Sequence, residues 1–271
     1  MRSVRTIEDW PVEHASTAVV AAAGQVVGSH GDQGRVYGLA SMTKLLTAFA
    51  TLVAVEEGVL GLDDAAGPEG STVRHLLAHA SGLDFSEPTA RSAPASRRIY
   101  SNVGFTVLAE TVAQRSEIPF AAYVREGLLD PLGMDATTFA GSPAFGATST
   151  VSDLARFAAE LQRPALLDPS TLALATSVAF PGLMGVLPGF GRQTPNDWGL
   201  GFEIRGAKQP HWTGSTSSPR TYGHFGQSGT FLWVDPVAGV ACVTLSDRAF
   251  GPWAAACWPP YTDAVLAELR G

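Results

Sequence analysis

The sequence contains few cysteines, few lysines and no long apolar run. Among its 271 residues are two cysteines, Cys242 and Cys257, and two lysines, Lys44 and Lys208. Two cysteines do not build the disulfide framework of a small secreted protein, so we interpret both as small buried hydrophobic residues. The apolar run that follows Lys44 lasts about ten residues, half of the roughly 20 that a membrane-spanning helix requires. We therefore expect neither disulfides nor a membrane partner.

Charge is also sparse, and it is mainly negative. Charged residues make up 16% of the chain, the net charge is −7 and the pI is about 5.3, whereas 45% of the residues are hydrophobic. This is the composition of a globular protein, and a negative surface repels the phosphates of nucleic acids. No apolar run of signal-peptide length follows the N-terminal arginines, so we expect a cytoplasmic protein.

Strand patterns at both ends of the chain enclose a helical middle. Residues 16–31 predict a strand, a turn and a strand, and residues 41–57 predict a helix that ends at Gly58. Helical spacing of apolar residues then recurs from residue 63 to about 180, and TVSD at 150–153 is typical of the capped start of the last of these helices. Strand patterns return from about residue 197, and the end of the chain is partly helical.

The simplest fold with this order is an α+β structure. Its mostly antiparallel sheet combines the segments 1–62 and 190–271 and has helices on its faces. Residues 63–189 form an inserted, all-helical subdomain. The Pro- and Gly-rich stretch 181–197 is predicted to be a long loop beside the functional site. We expect that site to lie between the two subdomains.

The first candidate for chemistry is Ser41 with Lys44. Residues three apart on a helix share one face, so the amine would lie beside the hydroxyl. A buried amine loses proton affinity, and a neutral amine can accept the proton of a serine. The alternative interpretation makes Ser41 only an N-cap and lets Lys44 extend to water.

The second candidate is Tyr100 with Asn102, just before a predicted helix. A phenol near an ammonium has a lowered pKa and can relay protons, and the amide can hold a substrate carbonyl or the lysine. The alternative is a core tyrosine followed by an ordinary helix cap.

The third candidate is the stretch from Gly223 to Thr230, which contains His224 and Gly226. A glycine in a strand lets the backbone of a ligand lie close, so a ligand could add along this edge. The alternative is a hairpin with turn glycines and a histidine whose hydrogen bonds are satisfied.

Three other patterns lack what their chemistry requires. The stretch GQSGT lacks the final glycine of the hydrolase nucleophile elbow. His75 and His79 are four residues apart, but Leu76 stands where a zinc protease has its glutamate. His211 lies in a polar Pro- and Ser-rich stretch and not in a predicted strand, so His224 is the better histidine for the third candidate. We expect neither a metal nor a cofactor.

The three candidates, in this order, resemble the serine β-lactamase and penicillin-binding-protein superfamily, whose motifs are S-x-x-K, S-D-N and K-T-G. The Tyr-x-Asn form of the middle motif is similar to class C β-lactamases, family VIII esterases and DD-peptidases. Further stretches are similar to segments of that family: HLLAHASGL, DPLGMDATTF, ATSTVSDLARF, WGLGFEI and GHFGQSGTFLWVDP. The likeness implies a β-lactamase/DD-peptidase-like fold.

The resemblance also implies roles for the first two motifs. Ser41 matches the nucleophile, Lys44 its activating partner and Tyr100 the residue that relays protons. Asn102 matches the amide that contacts the lysine and the substrate. The implied chemistry is acyl transfer through a covalent intermediate on the serine.

The third motif departs from the family pattern. His224, Phe225 and Gly226 stand where the family has Lys-Thr-Gly, and the implied oxyanion hole consists of the backbone N–H groups of Ser41 and Gln227. The family's lysine helps to bind the carboxylates of penicillins and D-alanyl peptides. A neutral histidine binds an anion less well, which favours simple esters.

We therefore expect a serine hydrolase that acts on small esters or amides, first as a carboxylesterase. β-Lactamase or D-amino-acid peptidase activity is the alternative. A module that binds its ligand or is acylated by it without turnover is a hypothesis of another class. The short spacing from Ser41 to Tyr100 predicts trimmed loops and an open cleft. The natural substrate, the general base and the oligomeric state stay open.

Overall fold

The computed structural model describes residues 1–270. In chain order, its strands are β1 (Ala15–Ala21), β2 (Val26–His30), β3 (Tyr37–Gly38), β4 (Thr138–Phe139), β5 (Ala147–Ser149), β6 (Gly185–Leu187), β7 (Gly191–Gln193), β8 (Glu203–Ile204), β9 (Tyr222–Gly226), β10 (Thr230–Asp235) and β11 (Val240–Ser246). Its α-helices are α1 (Thr43–Glu56), α2 (Val73–Leu77), α3 (Asn102–Ser116), α4 (Phe120–Val124), α5 (Val151–Glu160), α6 (Pro169–Ala175) and α7 (Pro252–Arg270).

Six of these strands form one antiparallel sheet in the order β2-β1-β11-β10-β9-β8. Strand β1 pairs with β11, so that Ala18 lies opposite Val243 although the two residues are far apart in sequence. The N-terminal hairpin thus completes a sheet that the C-terminal segment begins. This confirms the predicted α+β fold with one sheet made from both ends of the chain.

Side chains of the central strands alternate between two hydrophobic cores because successive strand residues point to opposite faces. One core contains Ala18, Val20 and Val243 together with α1, α3 and α5. The other contains Val19 and Cys242 and is covered by α7 and the 3₁₀-helix Ser3–Asp9. Aromatic rings dominate the second core: Trp10, Trp212, Phe231, Trp233, Trp258 and Tyr261.

The middle of the chain differs in two respects from the predicted all-helical subdomain. It contains the short strands β4 and β5, which join β3 in a small sheet, and α5 packs on β1 and β11 of the main sheet. Strands of two or three residues show too little alternation to be recognised in a sequence. The start of α5 matches its predicted cap, because the Thr150 hydroxyl accepts from the backbone N–H of Asp153.

The stretch 181–197 is not a plain loop, because it folds back as the hairpin β6–β7. Helix α7 is also longer than the partly helical end that we expected, and it continues through Pro259 and Pro260. Its contact with the aromatic core stabilises it there, although proline removes a helical hydrogen bond. Among residues 1–270, no helix is both long enough and apolar enough to cross a membrane.

Candidate active site

Ser41 lies in a short 3₁₀ turn, Ala40–Met42, that leads directly into α1. The preceding residue, Ala40, has a φ of 46°, in the left-handed region that an alanine rarely adopts. Such backbone strain is maintained only where the surrounding structure enforces it, and it is frequent at functional sites. The cap residue of α1 is Met42, so Ser41 is not the simple N-cap of the alternative interpretation.

Lys44 projects from the first turn of α1 into the protein interior and is 0% exposed. Its Nζ lies 3.4 Å from the Ser41 hydroxyl, 2.7 Å from Asn102 Oδ1 and 2.9 Å from the backbone oxygen of Ala144. The lysine therefore does not extend to water, and the first two predicted motifs meet at its amine.

The surroundings of Lys44 favour a neutral amine. Burial lowers its pKa well below the usual value of 10.5, and no carboxylate offsets that effect. The oxygens of Asn102 and Ala144 only accept hydrogen bonds, so they occupy two N–H donors of Nζ. In a neutral amine, the remaining lone pair then faces the hydroxyl hydrogen of Ser41.

Tyr100 and Asn102 are positioned by the start of α3. Ser101 is the cap of this helix, because its hydroxyl accepts from Gly104 N at 3.0 Å. The capping alternative therefore applies to Ser101, whereas Asn102 bonds to Lys44 and Tyr100 reaches the third motif. The Tyr100 hydroxyl lies 3.3 Å from Nε2 of His224.

The hydrogen bonds of His224 define its tautomer. Nδ1 lies 2.6 Å from the carbonyl oxygen of Phe225, which can only accept, so Nδ1 carries the proton. Nε2 is then an acceptor, and the Tyr100 hydroxyl donates to it. Burial lowers the pKa of His224 to about 3, which keeps the ring neutral.

The expected lowering of the Tyr100 pKa is wrong. Burial raises this pKa well above its usual value of 10, and the hydroxyl of Ser41 offsets only part of the rise. Lys44 does lie over the ring, at 4.7 Å from its centroid. Burial disfavours the ammonium form of Lys44, which weakens the expected effect of its charge on the Tyr100 pKa.

His79 is a site residue that the sequence analysis set aside. It is 1% exposed, and its Nδ1 accepts from the backbone N–H of Ser101 at 3.1 Å. Its backbone oxygen accepts from the backbone N–H of Ile99, so His79 binds the residues immediately before and after Tyr100. His75 has a different role in the capping box of α2, which separates the pair that had suggested a metal site. The family-like stretch HLLAHASGL was the available signal for His79.

Gly226 allows strand β9 to lie against the turn that carries Ser41. A Cβ at this position would lie 2.2 Å from the backbone oxygen of Leu39, so only glycine permits the approach. The hydroxyl of Thr230 donates to the same oxygen at 3.1 Å. The close partner of Gly226 is thus the protein backbone, where we had expected a ligand. Gln227, which follows Gly226, lines the cavity at Ser41.

The cavity at Ser41 is narrow, with a volume of about 150 Å³. Its wall is mainly aromatic and aliphatic and consists of Phe85, Tyr100, Leu187, Pro188, Trp198, Glu203, His224, Phe225 and Gln227. A space of this size holds about five water molecules, or a short acyl group. Phe85 and the hairpin β6–β7 narrow the expected open cleft at the serine itself.

Glu203 contributes a buried charge to this wall. Burial opposes its ionisation, but Lys208 and His211 hold its pKa well below the usual value. His211 Nε2 lies 3.0 Å from the carboxylate, and the Trp212 indole donates to it at 3.0 Å. Lys208 contacts the same carboxylate. The second lysine of the chain and His211 are thus partners of a structural ion cluster, which accords with the choice of His224 as the third element.

Comparison with known proteins identifies the family. The family model described as Beta-lactamase matches residues 13–266 of the chain. The chain belongs to the β-lactamase family. As a β-lactamase-family protein with this fold, it is a serine hydrolase.

Three proteins that resemble this β-lactamase-family chain differ in how closely they match it. A solved structure described as a β-lactamase (Mb2281c) from Mycobacterium bovis is 57% identical, covers 98% of this chain and 99% of that chain, and has a TM-score of 0.97. EstCE1, described as a hydrolase with promiscuous acyltransferase activity, shares the fold at 18% identity over 97% of this chain and 96% of that chain, with a TM-score of 0.78. The D-alanyl-D-alanine-carboxypeptidase/endopeptidase AmpH of Escherichia coli K12 is 28% identical over 142 residues, which cover 39% of this chain and 37% of AmpH. The chain thus matches little more than a third of the length of that curated relative.

Proposed function

We propose that the protein is a carboxylesterase that forms an acyl-enzyme on Ser41 and acts on small esters. The observation that carries this proposal is the amine of Lys44, which is fully buried, has no carboxylate partner and lies 3.4 Å from the serine hydroxyl. An uncharged amine in this position is a general base for the serine.

In the proposed first step, Lys44 Nζ accepts the proton of Ser41 as Oγ attacks the ester carbonyl. Tyr100 is not available as the base, since its raised pKa keeps the phenol protonated and its proton is donated to His224. We infer that Lys44 and not Tyr100 takes the proton. The negative oxygen of the tetrahedral intermediate would be held by the backbone N–H groups of Ser41 and Gln227.

In the proposed second step, the ester bond breaks and the Lys44 ammonium returns its proton to the leaving alkoxide, with the Tyr100 hydroxyl as a relay. Water then attacks the acyl-enzyme, again with Lys44 as the base, and releases the carboxylic acid and free Ser41. Asn102 holds Nζ in place through both steps. His224 is proposed to orient the hydroxyl of Tyr100 and not to bind a substrate anion, because its ring is neutral and 4% exposed.

The test compares the hydrolysis of 4-nitrophenyl acetate and butyrate by the wild-type protein, Ser41→Ala and the exposed control Ser152→Ala. We expect Ser41→Ala to lose at least about a hundredfold in kcat/KM, whereas the control keeps the wild-type value. Equal rates in all three proteins would refute the esterase mechanism. The narrow cavity at the serine further predicts faster turnover of the acetyl and butyryl esters than of a decanoyl ester.

β-Lactamase activity is the second candidate, and the 57% identical M. bovis protein described as a β-lactamase favours it. Against it stands the neutral His224 in place of the anion-binding lysine. Nitrocefin and D-alanyl peptides, assayed beside the esters, separate these activities. A stable fluorophosphonate adduct on Ser41 without turnover of any substrate would instead favour the non-turnover sensor. The cytoplasm as the compartment stays a prediction from the sequence.

A further inference from the structure

A second and much larger cavity adjoins the narrow one at Ser41. Its volume is about 730 Å³, and it shares three wall residues with the Ser41 cavity: Phe85, Tyr100 and Pro188. The hairpin β6–β7 forms one wall, and the segment before Tyr100 forms the other. We call this cavity the arginine groove. A substrate whose reacting carbonyl lies at Ser41 would extend its remaining part into this groove.

The arginine groove concentrates positive charge in a protein of negative net charge. Four arginines line it, Arg91, Arg97, Arg98 and Arg192, whereas Asp84 is the one acidic residue in its wall. Asp84 pairs with Arg91 at 2.8 Å, which leaves an excess of three positive charges. A concave surface with charge of one sign concentrates the electric field and attracts ligands of the opposite sign.

Two of these arginines offer free donors at the groove surface. Arg97 bonds only weakly to the backbone oxygen of Arg91, at 3.4 Å, and Arg192 contacts the sulfur of Met184 at 3.2 Å. Neither forms a salt bridge among residues 1–270. A guanidinium presents its N–H groups as a planar fork that matches a carboxylate or a phosphate.

Arg98 provides an independent observation beneath this surface. It is 3% exposed, and its guanidinium donates to backbone oxygens of Ala78, Ala179 and Phe180 without reaching a carboxylate. Its Nε is buried and has no hydrogen-bond partner among the described residues. Burial lowers the pKa of Arg98 to about 10, so the group stays charged at neutral pH. The nearby carboxylate of Asp197 offsets the cost of burying this charge only in part, and an anion in the groove would offset more of it.

We propose that the arginine groove binds an anionic group, a carboxylate or a phosphate, on the part of the substrate that lies beyond the Ser41 cavity. This deepens the esterase proposal and rests on it for the position of the reacting carbonyl. The natural substrate is then an anionic ester with a short acyl or alcohol portion at the serine. A neutral His224 in the third motif is compatible with this proposal, because the arginines of the groove, and not the third motif, would hold the anion.

The kinetic test compares the mono-4-nitrophenyl ester of glutaric acid with the uncharged 4-nitrophenyl pentanoate. The wild-type protein should have the lower KM for the anionic ester, and added salt should reduce that preference. In Arg97→Gln/Arg192→Gln, the ratio of kcat/KM for the anionic ester to that for the neutral ester should fall about three- to tenfold. Arg163→Gln, which replaces an exposed arginine outside the groove, should keep the wild-type ratio.

A binding test separates the groove from the esterase mechanism. Glutarate and phenyl phosphate are titrated calorimetrically into Ser41→Ala and into the same protein with both arginines replaced. Binding of either anion that is lost in the arginine variant supports the groove, even if no ester is hydrolysed, and the tighter anion identifies its chemistry. Hydrolysis of both esters with an unaltered ratio and no anion binding would overturn the groove and leave the esterase. Absence of both activities would overturn both.

Discussion

At the scale of single residues, Lys44 has the environment that most restricts the chemistry. It occupies a helix that is otherwise apolar, and twelve of the fourteen residues of α1 are buried, including this lysine. Interior burial of an ammonium is unfavourable unless a carboxylate compensates it, and Lys44 has only carbonyl and hydroxyl partners. This unfavourable burial occurs at the residue beside the proposed nucleophile, and it shifts the lysine towards its uncharged form.

The depressed pKa of Lys44 predicts a pH-dependent stability. Between the lowered folded pKa and the usual value of 10.5, the unfolded chain binds a proton at Lys44 that the folded protein does not. The contribution of this residue to the free energy of unfolding therefore rises with pH in that window, by at most about 1.4 kcal/mol for each pH unit. Above the usual pKa the dependence ends.

Urea unfolding of the wild-type protein and of Lys44→Met between pH 7 and pH 10 measures this effect. We expect the stability of the wild type to increase relative to the variant as the pH rises, because methionine does not titrate. A difference that stays constant over this range would mean that Lys44 has the same pKa in the folded and unfolded protein. That result would contradict the neutral-base mechanism independently of any substrate.

At the scale of elements, the site depends on how closely β9 approaches the turn before α1. The Leu39 oxygen, just two residues before Ser41, accepts from the hydroxyl of Thr230 and lies where a Cβ on Gly226 would be. Strand β9 also carries His224, whose Nε2 lies 3.3 Å from the hydroxyl of Tyr100, just before α3. One strand thus brings the starts of two helices, and with them three motifs, into contact.

A methyl group at Gly226 should therefore separate these elements. In Gly226→Ala, the Cβ would meet the Leu39 oxygen at 2.2 Å, and that oxygen belongs to a backbone that cannot rotate away. We expect a loss of about 1–3 kcal/mol in stability, together with a fall in kcat/KM.

The matched control is Gly38→Ala, since Gly38 is a strand glycine whose added Cβ would meet no atom within 4 Å. Thermal unfolding and ester hydrolysis are measured for both variants. A Gly226→Ala protein with wild-type stability and activity would show that β9 and the serine turn adjust freely. The site would then not depend on their close contact.

At the scale of the whole molecule, the two lysines and the arginines are distributed very differently. Lys44 and Lys208 are both buried, at 0% and 2% exposure, so arginines provide the cationic side chains of the surface. Several of them pair with nearby carboxylates, as Arg74 does with Asp63. The arginine groove has more arginines than carboxylates, and its excess positive charge lies beside Ser41.

Burial of both lysines predicts that the folded protein resists amine-selective reagents at its side chains. After treatment with an acetylating N-hydroxysuccinimide ester, peptide mapping should find Lys44 and Lys208 unmodified in buffer and both acetylated in urea. Acetylation of Lys208 in buffer would contradict its buried ion cluster with Glu203. Acetylation of Lys44 would show that reagents reach the amine through the Ser41 cavity.

The local motifs could be predicted because each depends on residues that are only a few positions apart in the chain. The spacing of Ser41 and Lys44 is a helical spacing, and the cap at Thr150 needs only its own turn. His79 could not be found in this way, because its hydrogen bond to Ser101 joins residues in different loops. The narrow cavity was also missed, because Phe85 and the hairpin β6–β7 converge on it from distant segments.

The sequence by itself determined which side chains could react and where the longer strands and helices would form, because both depend on residue type and local period. The tertiary structure alone decided their electrical state. Burial lowers the pKa of Lys44, keeps the ring of His224 neutral and raises the pKa of Tyr100, and no local pattern reports how much protein covers a side chain. It also decided that Arg192 shares one groove with Arg91, Arg97 and Arg98, because the proximity of two distant segments results from folding and not from spacing along the chain.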